Sequence, residues 1–466
     1  MIRSARRLGV ALVLLALPGL LLATVTFEKR WHWFRQDVGR SVALTADGGY
    51  LVSGETWVDT TLYGIVLART DSMGETTSVR HLLGVAHGSG YVCALRGGDF
   101  VAAGIRNGSH FYAQGFSPSG ESLWTYDSQH RGQVYALVAT SDGGCLLAGR
   151  DSALDMGLVR LDSVGNEEWV HSYDEPLVQG SWANGVAETH DGGFILCGDA
   201  TDYLGSYIRL VRTDSAGDTL WTRLISGPLG PSLQAVCETP DRGFLAVGSA
   251  FDTLQSLDAV YLMRTDSSGA TQWTRYISPT GAGTEAEALC TTSDGGYAIA
   301  GTIAWVDSAR AWMVKLDADF DTVWTSALPG KGREEATAIW QTADDGYVLA
   351  GTSDPPSDSI LLFKTDSVGH IEVGIAEERP APVRERFTFS IVPNPAAAIV
   401  RIKGPLPAGF GPATLCIYDS QGRLVHSSFG IRTSSFRLDL RSMPAGVYLL
   451  KLDSELGIAT RKLVIE

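Results

Sequence analysis

Acidic residues at short spacing are the most chemically suggestive feature of this 466-residue chain. Glu285 and Glu287 alternate along one segment, and the pair Glu334 and Glu335 stands in a corresponding segment further on. Two carboxyl groups held about 5–10 Å apart can hydrolyse a glycosidic bond. Charged residues in connecting segments are more often simply solvated, so both interpretations stay open.

A second acidic group consists of Asp317, Asp319 and Asp321, whose oxygens would suit Ca²⁺. Phe320 stands where a sharp Ca²⁺ loop needs glycine, which favours a variant turn. The nine histidines form no His-Glu-x-x-His motif, and the sequence has neither Gly-x-Ser-x-Gly nor a phosphate-binding loop. The sequence therefore predicts no catalytic residue, no metal site and no cofactor.

The element that must position any site is a ten-residue segment, the decad, which occurs seven times. In Thr292–Gly301 it reads TSDGGYAIAG. Asp-Gly-Gly between two extended arms indicates a tight hairpin, because glycine adopts positive φ without a Cβ clash. A terminal glycine in every copy suggests close approach of a neighbouring backbone. The other copies begin at Thr45, Leu95, Thr140, Thr189, Thr239 and Thr342.

After most decads comes an Asp-Ser-x-Gly turn and a strand that carries tryptophan. Each repeat thus has four short strands, and a period near fifty residues matches a β-propeller blade. The turn and tryptophan resemble the repeat of pyrroloquinoline quinone dehydrogenases, which supports a packing role and only weakly suggests a cofactor. We expect these residues to wedge between blades, and truncating a buried one should cost about 3–5 kcal/mol: Trp124, Trp169, Trp221, Trp273 and Trp324.

The last repeat lacks its fourth strand, and an unattached strand precedes the first decad. We expect Lys29–Phe34 to complete the seventh blade, as in WD-repeat proteins, which this chain resembles in strand order. The predicted fold is therefore all-β: a seven-bladed β-propeller at 25–371, closed by its N-terminal strand. Separating the two chain ends would expose a strand edge.

The connections opposite the decad turns vary in length and sequence, and binding sites usually lie on such loops. We therefore predict that any ligand binds on this face. Its aromatic side chains could stack on a sugar or anchor a protein, or could merely pack over the blade tops. The candidates are Trp57, Trp182, Tyr203 and Trp305, with Phe251 in a further loop.

Composition limits the partners. A net charge of -15 argues against nucleic acid or an anionic membrane surface, because both favour clustered lysine and arginine. Residues 1–24 read as a signal peptide, with a basic start and a short apolar stretch, and no other segment is long enough to span a membrane. The six cysteines form no Cys-x-x-Cys motif, which favours free thiols.

The chain changes character near its end, where residues 372–386 read as a charged, proline-bearing linker. Residues 387–466 then alternate as strands and predict a small antiparallel β-sandwich. This segment resembles the C-terminal sorting domain, type A, of type IX (Por) secretion. The resemblance rests on Pro393-Asn394-Pro395, Gly422 within IYDSQGRLV, and Gly446 and Tyr448 within MPAGVYLLKL. It implies recognition by the secretion machinery, passage through the outer membrane, then release or surface attachment.

Together these patterns predict an exported, non-catalytic propeller that binds a glycan or a protein outside the cell. The alternative is an extracellular propeller enzyme, a glycoside hydrolase or lyase, that draws acids from the loop face.

Overall fold

The computed structural model describes residues 25–465 with gaps at 34–35, 58–62, 86–89, 107–108, 177, 204, 227–230, 280, 331, 354–357, 372–389, 397–398, 404–412, 419–423, 432–434, 442 and 455–456. The predicted signal peptide, the predicted linker and Gly422 therefore lie outside the described residues. Every helix or strand assigned in the described residues is a β-strand. The chain divides into two compact units between Val373 and Gly374.

The first unit contains strands β1 to β27. Their bounds are β1 Phe27–Trp31, β2 Gln36–Leu44, β3 Tyr50–Trp57, β4 Tyr63–Thr70, β5 Thr76–Leu83, β6 Tyr91–Ala94, β7 Phe100–Arg106, β8 His110–Phe116, β9 Ser122–Ala139, β10 Cys145–Asp151, β11 Met156–Leu161, β12 Glu167–Tyr173, β13 Gly180–Glu188, β14 Phe194–Thr201, β15 Ser206–Thr213, β16 Thr219–Ser226, β17 Ser232–Glu238, β18 Phe244–Asp252, β19 Leu257–Thr265, β20 Thr271–Ile277, β21 Gly283–Thr291, β22 Tyr297–Trp305, β23 Ser308–Leu316, β24 Thr322–Ala327, β25 Glu334–Gln341, β26 Tyr347–Ser353 and β27 Ser359–Thr365.

These strands form four-stranded antiparallel blades in which each strand pairs with the next along the chain. In order, blades 1 to 7 are β2–β5, β6–β9, β9–β12, β13–β16, β17–β20, β21–β24, and β25–β27 with β1. The long strand β9 is the outer strand of blade 2 and then the inner strand of blade 3. Successive inner strands contact one another, and β2 contacts β25 and β26, so the ring closes.

The N-terminal strand completes blade 7, as predicted. It pairs antiparallel with β27, with Phe27 opposite Lys364 and Trp31 opposite Ile360. Its bounds, Phe27–Trp31, begin two residues earlier than the predicted Lys29. Arg30 of this strand forms an ion pair with the fully buried Glu334 of β25. The two ends of the propeller chain are thus joined by strand pairing and by charge.

Each decad turn is held by a short network, illustrated by blade 3. Thr140 donates its backbone N–H to Gly144 O (2.9 Å) and its hydroxyl to Asp142 Oδ1 (2.7 Å). Gly143 has a φ of 96°, which explains why glycine occupies that place. The buried Arg160 of β11 reaches back to pair with Asp142.

The same turn aspartate pairs with a basic side chain from the third strand in six blades. Blade 2, whose decad is the most altered, has Gly97 in place of the aspartate and Gly115 in place of the base. Because both partners are missing together, no charge is left buried alone. The six pairs are Asp47–Arg69, Asp142–Arg160, Asp191–Arg212, Asp241–Arg264, Asp294–Lys315 and Asp344–Lys364.

The tryptophans of the fourth strands do lie between blades, but at the ring's outer edge and only half-buried. Trp221 contacts Phe244 of the next blade, with ring centroids 5.8 Å apart, and Trp324 contacts Tyr347 in the same manner. The predicted position between blades is confirmed, and the outer strand leaves one side of each ring to water. The cost of truncation should fall below the figure for a fully buried aromatic.

The second unit is a two-sheet domain. Its strands form one sheet in the order β28-β29-β32 and another in the order β31-β30-β33-β34. Val400, Ile417, Leu438, Leu450 and Leu463 belong to the apolar cluster that both sheets bury. The bounds are β28 Ser390–Val392, β29 Ile399–Lys403, β30 Ala413–Tyr418, β31 Leu424–Ile431, β32 Ser435–Asp439, β33 Gly446–Ser454 and β34 Gly457–Ile465.

Candidate functional site: the central channel

A β-bulge interrupts the inner strand at the same place in six blades. In blade 6, Ala286 lies opposite Gly301 and Ala288 lies opposite Ala300, so Glu287 is the extra residue. A bulge bends its strand and re-aims the extra side chain. The bulge also brings the backbone carbonyl of Glu285 close to the second strand. A Cβ on Gly301 would lie 1.9 Å from that carbonyl oxygen. The predicted close approach at the decad's last glycine is confirmed there.

The bulged residues point into the centre of the ring, where inner strands of all seven blades line a cavity of about 240 Å³. Blade 2 supplies Tyr91 to its wall. We call the bulged side chains the channel ring; they are Arg40, Tyr135, Asn184, Gln234, Glu287 and Thr337.

Several ring members are fixed by the blade that carries them. Arg40 donates from Nε to Oε1 of the buried Glu55 at 3.1 Å. Asn184 donates from Nδ2 to Asp199 Oδ2 at 3.0 Å, and burial raises the pKa of that aspartate. Gln234 donates to a serine hydroxyl of its own strand at 3.2 Å. These contacts orient the polar groups before any ligand arrives.

Glu287 differs from these ring members because its carboxylate makes no hydrogen bond within the described part of the chain. Burial, together with the nearby carboxylates of Glu285 and Glu335, raises its pKa to about 7, and the charge of Arg40 opposes this rise. Burial also raises the pKa of Tyr91 to about 12. Near neutral pH, Glu287 can therefore accept or donate a proton in the channel.

Of the four predicted acidic residues, Glu287 lines the channel, Glu285 and Glu335 lie close enough to act on its charge, and Glu334 lies elsewhere. Glu285 and Glu335 are exposed and occupy equivalent positions in blades 6 and 7. Each directly precedes the alanine that pairs with the last glycine of the decad. Trp182 holds the same position in blade 4. Glu334 points to the other side of β25, where it is buried against Arg30.

The predicted aromatic residues belong to four different blades, with Phe251 near the end of β18. Trp57 is half-buried and lies 6.0 Å from the Tyr63 ring, and Trp182 is covered by the Arg150 guanidinium at 4.4 Å. Tyr203 is 93 % exposed and Trp305 is 43 % exposed. Segments expected to be loops are partly strand, since β3 runs to Trp57 and β22 to Trp305.

Asp317, Asp319 and Asp321 form a turn, as the sequence favoured. Asp317 Oδ1 accepts the backbone N–H groups of Asp319 (3.0 Å) and Asp321 (2.9 Å), as the first aspartate does in the other Asp-Ser-x-Gly turns. Phe320 adopts a φ of 67° and stacks on Tyr297 at 5.3 Å. No group of three histidine, cysteine or acidic side chains with metal-binding geometry occurs among the described residues.

Sequence reasoning missed most of the channel ring, although a signal was present. Each ring residue stands fourteen positions before the last glycine of its decad, as in 40 and 54, 135 and 149, and 287 and 301. Trp340, half exposed on the channel wall, was also missed. Five cysteines are free thiols at or near the buried core: Cys93, Cys145, Cys197, Cys237 and Cys290.

The sorting-motif residues hold the second unit together. Asn394 accepts the Val464 N–H at 2.8 Å and donates to Lys462 O at 2.7 Å, which fastens the segment with Pro393 and Pro395 to the last strand. Tyr448, buried two residues after Gly446, donates to Pro444 O at 2.8 Å.

Comparison with sequence families identifies residues 390–466 as a secretion system C-terminal sorting domain. This domain implies interaction with the type IX secretion machinery, secretion, and a place at the outer surface or outside the cell. No curated protein matches the chain. Within the described residues, no helix has the length and apolar character that crossing a bilayer requires.

Solved structures similar to this chain include β-propellers. One is the Pan2 WD40 domain of Neurospora crassa (8% identity, TM-score 0.43, covering 70% of this chain and 88% of that one). Another is Sqt1 from Chaetomium thermophilum (11%, 0.47, 73% and 99%). A third is the β-propeller domain of the Trilobed protease from Pyrococcus furiosus (8%, 0.42, 72% and 96%).

Proposed function

We propose that this protein is an exported, non-catalytic binding protein that takes the end of a glycan into its central channel. The observation that carries the proposal is the channel ring, which gathers guanidinium, phenol, amide, carboxylate and hydroxyl groups at one level. A few convergent polar groups in a concave site give orientation and specificity to a small polar ligand.

The size of the channel limits the ligand. Sites for drug-sized molecules measure about 300–1,000 Å³, whereas this cavity measures about 240 Å³. It therefore suits one terminal sugar residue, with the rest of the glycan outside. The aromatic surfaces that such a chain or a protein partner would meet are Trp57, Trp182, Tyr203 and Trp305.

Export in this proposal has two stages. The signal peptide at 1–24 directs the chain across the inner membrane, and the domain at 387–466 then directs it through the outer membrane. Removal of that domain, followed by release or surface attachment, leaves the propeller at 25–371 as the working part.

A glycan array probed with residues 25–466 tests the binding proposal. Gln234→Ala and Tyr135→Phe should each weaken the selected glycan at least tenfold, because each removes a hydrogen-bonding group from the ring. Tyr203→Ala is the matched control, since that side chain is almost fully exposed. A tenfold loss of affinity in Tyr203→Ala, with no loss in the two ring variants, would place the site on the loop face instead.

A second candidate, glycoside hydrolysis, is favoured by one observation. Glu287 has a pKa of about 7 beside two further carboxylates, Glu285 and Glu335, and a general acid works best with a pKa near the ambient pH. Release of reducing sugar from a polysaccharide panel, abolished by Glu287→Gln, would replace binding by catalysis. Binding without turnover would exclude it for the glycans tested.

A further inference from the structure

An aromatic ring fills the outer slot between neighbouring blades at six of the seven junctions. In blades 2 to 6 the ring is the tryptophan of the fourth strand, and in blade 7 it is Phe27. Each ring lies against the turn between the third and fourth strands of the following blade, which is the variant turn with Phe320 in blade 6 and an Asp-Ser-x-Gly turn in the others. A Cβ on Gly165, Gly269, Gly369 or Gly74 would meet Trp124, Trp221, Trp324 or Phe27 at 2.3 to 2.7 Å.

The junction between blades 1 and 2 breaks this rule. Ser78 lies opposite Arg69, in the register that Trp169 holds opposite Arg160 in blade 3. Across the junction, Gly120 has no other described heavy atom within 4 Å of a Cβ built on it. A cavity of about 130 Å³ lies between them. We call it the open slot.

The open slot retains the surfaces that receive a ring elsewhere. Phe100 begins the second strand of its blade, as do Phe244 and Tyr347, which contact Trp221 and Trp324 at 5.8 Å. Phe100 and Phe116 are buried and form the apolar wall, with Leu51 and Leu67. An apolar cavity of about 150 Å³ is large enough to take up benzene.

A cation is also placed to cover a ring in the slot. Arg223 and Arg275 each stand two residues after a tryptophan and lie over its ring, at 5.2 and 4.4 Å. Arg80 stands two residues after Ser78, is exposed, and lies over Phe116 at 5.4 Å. A cation within about 6 Å of an aromatic face attracts it.

From this geometry we infer that the open slot binds a small free aromatic molecule, with one ring or two fused rings, against Phe100 and beneath Arg80. The ligand takes the place that a tryptophan of the chain's own repeat takes at the other junctions. This site is on the outer side of the ring and does not depend on the proposed function of the central channel.

The test uses residues 25–466 and 5-fluoroindole, followed by ¹⁹F NMR because the protein's own tryptophans would obscure fluorescence. We expect saturable binding at one site. Ser78→Trp should reduce affinity at least tenfold by filling the slot, while Ser78→Ala should retain it. Trp221→Ala, which opens an equivalent slot between Phe244 and Arg223, should raise the number of sites to two.

Arg80→Ala keeps the slot open and alters only an exposed side chain, so it tests the site even if Ser78→Trp fails to fold. It should weaken binding several-fold, and Arg80→Lys should restore part of the loss. Absence of binding, or unchanged binding in both Ser78→Trp and Arg80→Ala, would overturn the inference. Tighter binding of N-acetyltryptophanamide than of indole would overturn the assignment to a free molecule in favour of a peptide side chain.

Discussion

The two ends of each blade's inner hairpin obey different rules. At the decad turn, six blades repeat the same threonine, aspartate and basic partner, and blade 2 has lost the aspartate and the base together. At the bulge, six blades place an extra residue at the same position, and each uses a different side chain. The residues that are identical between blades are therefore those that the ring needs to close. The bulged position, whose side chain differs from blade to blade, supplies the groups available for binding.

In blade 6, the inner hairpin carries one carboxylate at the turn and another at the bulge, and their pKa values shift in opposite directions. At the turn, the ammonium of Lys315 and then the hydroxyl of Thr292 lower the pKa of Asp294 to about 2. At the bulge, burial raises the pKa of Glu287 to about 7. The turn carboxylate stabilises the fold when charged, whereas the channel carboxylate costs stability when charged.

The largest expected change in stability tests whether the bulge of the inner strand requires the last glycine of the decad. Gly301→Ala would place a Cβ 1.9 Å from the backbone oxygen of Glu285, where only a backbone shift can relieve the clash. We expect a loss of about 3 kcal/mol in the free energy of unfolding. Urea unfolding followed by tryptophan fluorescence measures the propeller alone, because all twelve tryptophans lie at or before Trp340.

Gly332→Ala is the matched control for that measurement. Gly332 is exposed, and no described heavy atom outside its chain neighbours lies within 4 Å of a Cβ built there. Its stability should stay within about 0.5 kcal/mol of the parent protein. Similar stabilities for the two variants would mean that the bulge does not require the strand glycine.

The next effect tests the buried pair at the turn. Asp241→Asn leaves the guanidinium of Arg264, which is 2 % exposed, without its carboxylate. Removing one member of a buried pair costs about 3–5 kcal/mol, and the exposure of Asp241 reduces our expectation to about 2 kcal/mol. The double variant with Arg264→Met should cost less than the sum of the single changes, as the joint loss in blade 2 suggests. Strict additivity in urea unfolding would refute this coupling.

Much of this architecture was predictable because the same sequence pattern occurs in seven repeats. The Asp-Gly-Gly turns, the strand glycine and the closing N-terminal strand follow from patterns that recur at one spacing. The channel ring was missed for the opposite reason: Arg40, Tyr135 and Thr337 share a position and no chemistry. A search for identical residues passes over them, and a bulge adds one residue without any glycine or proline to mark it.

Burial was harder to predict than topology. The repeat predicts that a tryptophan of the fourth strand lies between blades, but it does not predict how much of the ring is covered. The structure leaves it half open, because the outer strand has a neighbouring blade on one side only. The extent of β3 and β22 was also missed, since nothing at Trp57 or Trp305 ends the strand.

The third effect concerns the channel end and has a defined pH dependence. Because the folded pKa of Glu287 is raised to about 7, its stabilising protonated form is complete below about pH 4.5 and is lost as the pH rises through 7. Glu287→Gln should remove this loss and stabilise the protein by about 2 kcal/mol at pH 8. A flat stability profile between pH 5 and 8 in the parent protein would contradict the raised pKa.

The smallest effect compares two chemistries at the turn end. Asp294→Asn removes the partner of Lys315, as Asp241→Asn does for Arg264, but an unpaired ammonium can release its proton and a guanidinium cannot. We therefore expect Asp294→Asn to cost about 1 kcal/mol at pH 7, and less at pH 10.

The parent protein should also lose stability as the pH falls from about 4 towards 2, because the lowered pKa of Asp294 stabilises the fold only above that range. Asp294→Asn should lack that part of the acid loss, so urea unfolding at pH 2.5, 7 and 10 decides the question. Equal costs for Asp294→Asn and Asp241→Asn at every pH would mean that the turn responds to lost hydrogen bonds and not to a stranded charge.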